Sequence, residues 1–119
     1  MRGAPEGPID ALAAQLASPA RSGAYITRAE LIALAHVADG SLRVSERRRM
    51  LADVLKSAGS PEALTAVVAH LQDFWRASVA QYEEIAAGSP AGARAMAPWI
   101  ARARRTLTRL DEVVEELSL

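Results

Sequence analysis

Apolar residues along this chain recur every three or four positions, and no window alternates with period two for long enough to read as a strand. The pattern predicts helices throughout. Pro8 suits the first turn of a helix whose Ile9, Leu12, Ala13 and Leu16 share a face; Pro19 closes it, and residues 20–26 read as a loop. Thr27 and Glu30 spell a T-x-x-E capping box, so a second helix begins at Arg28 with Leu31, Leu34, Ala35 and Ala38 turned inward. Ile26, just ahead of the cap, is placed to staple against that helix. Gly40 can take the left-handed conformation that ends a helix. Ser45 can cap the next one, whose Met50, Leu51, Val54, Leu55 and Ala58 face inward before Gly59 stops it.

Two longer helices follow. Ser60-Pro61-Glu62 combines a cap, a first-position proline and an acid near the positive end of the helix dipole. Leu64, Val68, Leu71, Trp75, Ser78, Tyr82 and Ile85 then alternate by four and three up to Ala87, before Gly88. Ser89-Pro90 repeats the start signal, and Met96, Ile100, Ala103, Leu107, Leu110, Val114 and Leu117 make a second such seam. Two heptad helices with a tight connection predict an antiparallel hairpin. Pro98 removes one hydrogen bond and crowds the carbonyl of Arg94, so a kink or restart is expected there. The expected fold is all-α: short helices packed on a long antiparallel two-helix hairpin, as one helical domain over residues 1–119 with 1–7 disordered.

Composition narrows the function. Half of the 119 residues are hydrophobic but only 4% are aromatic, so the core must be built of Ala, Leu, Val and Ile. Fourteen basic residues balance fourteen acidic ones, which argues against a general polyanion-binding surface. The absence of cysteine excludes disulfides, thiolate metal sites and cysteine nucleophiles. With no signal-peptide core and no bilayer-length apolar run, the expected location is cytoplasmic.

Between the two central helices the chain reads A-D-G-S-L-R-V-S-E from Ala38 to Glu46. Asp39, Gly40, Leu42 and Glu46 fall where tellurite-resistance B-like (TerB-like) proteins carry A-D-G, an aliphatic residue two places on, and a glutamate seven after the aspartate. Over residues 28–58 the chain resembles that family. The resemblance implies an all-helical domain in bacterial stress or envelope-linked systems, with metal binding and without established catalysis. The same spacing partly matches a calcium EF-hand loop, with Gly40 at position six, Leu42 at eight and Glu46 at twelve. Positions one and three would be Ala35 and Val37, which offer no side-chain oxygen. Two readings stay open: Asp39 caps the N–H groups around Ser45 and Glu46 while Gly40 turns the chain, or Asp39 and Glu46 hold a divalent metal weakly. No other cofactor is expected.

His36 precedes Asp39, and His70 precedes Asp73, at i,i+3; neither makes an H-x-x-x-H or Glu-x-x-His metal motif, and the expectation is a histidine paired with a carboxylate. No nucleophile–base arrangement, phosphate loop or carboxylate pair can be placed, so no enzyme is expected. Arg47, Arg48 and Arg49 open a helix that follows another helix and a turn, which gives the alternative of a DNA-binding regulator with a helix-turn-helix-like unit over residues 28–58. The turn is long for that motif, and a solvated face is the plainer account. Trp75 on its seam and Trp99 one place off its own read as packing anchors.

On the last helix Arg102, Arg105, Arg109, Glu112 and Glu116 form one stripe, basic first and acidic after, bordered by Trp99 and Val113. Two antiparallel copies would set each basic half against the other's acidic half, so these seven residues are the expected interface of a homodimer. A solvated face with pairs inside the helix is the competing account. Together these features describe a non-catalytic helical interaction or stress-response module.

Overall fold

Serine–proline pairs start both long helices. The structure, a computed structural model, describes residues 7–38 and 45–117. Its helices are α1 (Pro8–Ala17), α2 (Pro19–Ser22), α3 (Arg28–Val37), α4 (Arg47–Ser57), α5 (Pro61–Gly88) and α6 (Pro90–Leu117), with no strand among the described residues. The Ser60 hydroxyl accepts from Ala63 N–H at 3.1 Å and the Ser89 hydroxyl from Gly92 N–H at 2.9 Å, satisfying donors that an α-helix leaves open. Thr27 accepts from Glu30 N–H at 3.1 Å, as the capping box predicts. The fold is all-α, as expected, and α5 and α6 pack closely as an antiparallel hairpin.

The shorter helices pack on one another and, through α2 and α3, on that hairpin. α1 lies on α4, α3 on α4 and α5, and α2 against α1 and α6. Leu16, Ile26, Leu31, Leu34, Met50, Leu51 and Val54 fill the space between them and are almost wholly buried. An ion pair of 2.8 Å between Lys56 and Asp10 ties α4 to the start of α1. The Lys56 ammonium holds the Asp10 carboxyl below its ordinary value of 3.8. That contribution is present above the ordinary value and is lost as pH falls through the lowered one.

The segment expected to be a loop at residues 20–26 contains α2 instead. Pro19 both ends α1 and starts a four-residue helix, because its fixed φ suits a first helical position. Gly23 closes it in the left-handed region, at φ 86°. Its Cα lies against α6: a Cβ would come within 2.9 Å of both Ala103 Cα and the Trp99 carbonyl oxygen. The two carbonyls at this corner collect buried donors from both long helices. Ser22 O accepts from Trp75 Nε1 at 2.9 Å and from Thr106 Oγ1 at 2.8 Å; Gly23 O accepts from Tyr82 Oη at 2.6 Å. Burial pushes the Tyr82 phenol up from its ordinary value.

This corner and α3 shift the seams. On α5 the buried side chains are Val67, Val68, Leu71, Gln72, Trp75 and Val79; Leu64, Ser78 and Tyr82 are half-buried, and Ile85 is 53% exposed. α5 is enclosed by α6 on one side and α3 on another, so its buried face is wider than a two-helix seam. On α6 Ala103, Thr106 and Leu110 are buried, while Met96, Ile100, Leu107 and Val114 are half-buried. Pro98 starts no new helix. Pro98 and Arg94 both face solvent, where water can take the carbonyl that Pro98 leaves without a donor.

Among the described residues, full burial on α5 stops at Val79 and on α6 begins at Ala103. Tyr82 and Trp99 still meet the Gly23 corner, and beyond them residues 83–98 form a two-helix arm that outruns the core. The 15.1 Å radius of gyration and the 46 × 35 × 26 Å extents fit such a projection, against about 13–14 Å for a rounder domain of this length. At its tip Gly92 lets the helices close up, since a Cβ there would lie 2.6 Å from the Ile85 carbonyl oxygen.

Gly23→Ala should cost more than about 2 kcal/mol by combining positive φ with a backbone clash, whereas Gly88→Ala, with open space around it, should change stability by less than about 1 kcal/mol. Leu71→Ala should cost about 2–5 kcal/mol, and Leu107→Ala at its half-buried site clearly less. Urea denaturation of the four variants checks both contrasts.

Candidate interaction surface

The central loop is the first place to look for chemistry. Asp39, Gly40 and Leu42 lie outside the described residues, as do residues 1–6 and the Leu117 side chain. Glu46 is described: it occupies the cap position of α4 with extended backbone, its carboxylate makes no cap bond, and it faces solvent. Ser45, expected to be that cap, stands one place too early, and its buried hydroxyl has no partner among the described residues.

Two arginines fix where Glu46 sits. Arg28 Nε donates to Ser45 O at 3.0 Å, and Arg47 Nη1 donates to Ile26 O at 3.1 Å. Segments 26–28 and 45–47 thus run alongside each other in opposite directions, clasped by side chains. The Arg47 guanidinium also lies over the Tyr25 ring, 3.9 Å from its centre. The start of α4 is thereby held beside the start of α3. Ala38, at the other end of α3, is about 15 Å away along the helix axis. Arg49 is exposed, and Arg47 is occupied within the fold.

The outer face of α6 is the second candidate. Arg102, Arg105, Arg109, Glu112 and Glu116 follow one another along it; Arg105, Glu112 and Glu116 are exposed and the other two half-buried. Arg109 pairs within the helix, at 3.3 Å with Glu112 and 3.6 Å with Glu116. The Arg102 guanidinium lies 5.1 Å from the centre of the Trp99 ring. Trp99 and Val113 are half-buried at the border, as the sequence places them. The opposite edge of the hairpin is bridged by Glu83–Arg104 and by a 2.6 Å bond from Gln72 Nε2 to Asp111.

No protein family, curated protein or solved structure matches the chain.

His36 and His70 are both exposed, on different helices. Among the described residues no three His, Asp or Glu side chains gather closely enough to hold a metal ion, and no helix is long and apolar enough to cross a membrane. Trp75 is fully buried and anchored by its indole N–H, as its seam position implies. Sequence reasoning placed Ile26 as a staple but missed that its carbonyl and the Tyr25 ring receive an arginine about twenty residues later. It also missed Thr106, for which a hydroxyl between Ala103 and Leu110 was the available signal.

Excess Ca²⁺, Mg²⁺ or Zn²⁺ should leave the thermal midpoint unchanged if the loop acids only shape the chain. A rise of about 2.7 kcal/mol at a hundredfold excess over Kd that vanishes in Asp39→Asn/Glu46→Gln would instead establish a metal site.

Proposed function

We propose that this chain is a non-catalytic helical interaction module that works as a homodimer. The observation that carries the reading is the outer face of α6, where Arg102, Arg105, Arg109, Glu112 and Glu116 make no ion pair to another helix among the described residues, continued by the two-helix arm at residues 83–98. Met96 is half-buried on that arm and Ile85 is mostly exposed. The fold does not need this extra length to bury its own core, and a second polypeptide on the hairpin would cover such surface. The stress-response part of the reading, and weak metal binding at Asp39 and Glu46, rest on the TerB-like resemblance alone.

The DNA-binding alternative draws less support. A helix-turn-helix sets the end of one helix beside the start of the next, whereas the clasp holds the starts of α3 and α4 together. It also occupies Arg47, the first of the three arginines that motivated the idea. Light scattering and sedimentation at micromolar concentration and low salt should give twice the chain mass. A chain that stays monomeric under those conditions overturns the homodimer.

A further inference from the structure

The charges of α6 are ordered against its own dipole. Arg94, Arg102, Arg104, Arg105 and Arg109 come first, and Asp111, Glu112, Glu115 and Glu116 come last. Its first turn holds no acid and its last turn no base, the reverse of the arrangement that stabilises a lone helix. Such an order is favourable only against charges outside the helix. The hairpin supplies one of them, Glu83 against Arg104, and a neutral donor, Gln72, to Asp111, on the far edge. On the outer face, among the described residues, the only ion pairs are those of Arg109 with Glu112 and Glu116 inside α6 itself.

From this face we infer that the partner is a second copy, laid antiparallel along α6 with the two-fold axis at Arg109; the inference rests on the homodimer reading above. Arg102 and Glu116 each stand seven residues from Arg109, on opposite sides, about 10 Å along the helix. Arg105 and Glu112 stand four and three residues from it. A two-fold axis at Arg109 therefore sets Arg102 of each copy beside Glu116 of the other, and Arg105 beside Glu112. A parallel arrangement would oppose like charges, so the pattern selects the antiparallel one.

The axial position makes the strictest demand, because the residue there meets its own copy. A bare arginine would repel itself. Arg109 is not bare: its guanidinium already lies between Glu112 and Glu116 of its own helix. Arg105, by contrast, makes no ion pair among the described residues, and Arg102 rests on the Trp99 ring and not on an acid. The cations left open are those that the two-fold places against acids, and the one already neutralised is the one it places against itself. Val113, half-buried between the stripe and the core, falls beside the Arg105 stem of the other copy and helps exclude water from those pairs.

The test uses two charge-reversed chains. Arg102→Glu/Arg105→Glu makes the stripe acidic apart from Arg109, and Glu112→Arg/Glu116→Arg makes it wholly basic. Sedimentation should show each variant alone self-associating at least about tenfold more weakly than the wild type. An equimolar mixture of the two should restore a dimer, since all four pairs flanking Arg109 are then of opposite sign, and the acidic copy still shields its own Arg109 at the axis. The wild-type dimer should weaken as salt rises. Restoration by mixing also requires both variants to be folded, so a folding defect cannot imitate it. If the wild type is dimeric but indifferent to both reversals, or if the mixture stays monomeric, this face or this register is wrong while the homodimer stands. Loss of the dimer in Ile85→Asp alone would move the contact to the arm and overturn the inference. A monomeric wild type overturns the inference and the homodimer together.

Discussion

Two backbone carbonyls at the end of a four-residue helix hold this fold in register. Ser22 O and Gly23 O receive three side-chain donors, buried Trp75 and half-buried Tyr82 from α5 and buried Thr106 from α6. Such groups cost about 1–3 kcal/mol each if buried unpaired, so the corner and both long helices specify one another. Trp75, Tyr82 and Thr106 cannot slide along the hairpin without abandoning these acceptors. Of the four shorter helices it is α2 that packs closely on α6, and Gly23 permits that contact by having no Cβ. Without it the N-terminal helices would be joined to α5 alone.

What could be read in advance was local. Thr27, Ser60 and Ser89 cap the helices they precede because a cap acts over three residues, all within one short stretch of sequence. The heptad seams were legible in period but displaced in phase. A seam presumes one neighbour, and α5 has two; Val67, Gln72 and Val79 became buried, whereas Ile85, beyond the core, did not. Residues 20–26 hid a short helix because Pro19 serves as a stop and a start at once. The α6 stripe was visible because all its members lie on one helix. The arginine clasp was not, since Arg28–Ser45 and Arg47–Ile26 join positions 17 and 21 residues apart that share no local pattern.

The clasp also changes what the central segment means. Read as helix, turn and helix, residues 28–58 bring to mind a compact hairpin whose turn is the working part. With the starts of α3 and α4 tied together, both helix dipoles direct their positive ends to the same corner, where Arg28 and Arg47 already stand. That accumulation is offset by the acceptors the clasp supplies: two carbonyl oxygens and the face of Tyr25. The arginines most suggestive of a ligand thus include one that the fold uses for itself.

A formal charge of zero conceals how this molecule looks from a distance. With its cations towards the start of a 28-residue helix and its acids at the end, α6 carries a permanent side-chain dipole that adds to the one in its backbone. A neutral body with separated charges has no repulsive field to keep its copies apart, yet it attracts them only in certain orientations. Encounter then becomes selective before any surfaces touch. Dissolved ions, by flattening that field over about a nanometre, would weaken any such orientation-dependent attraction.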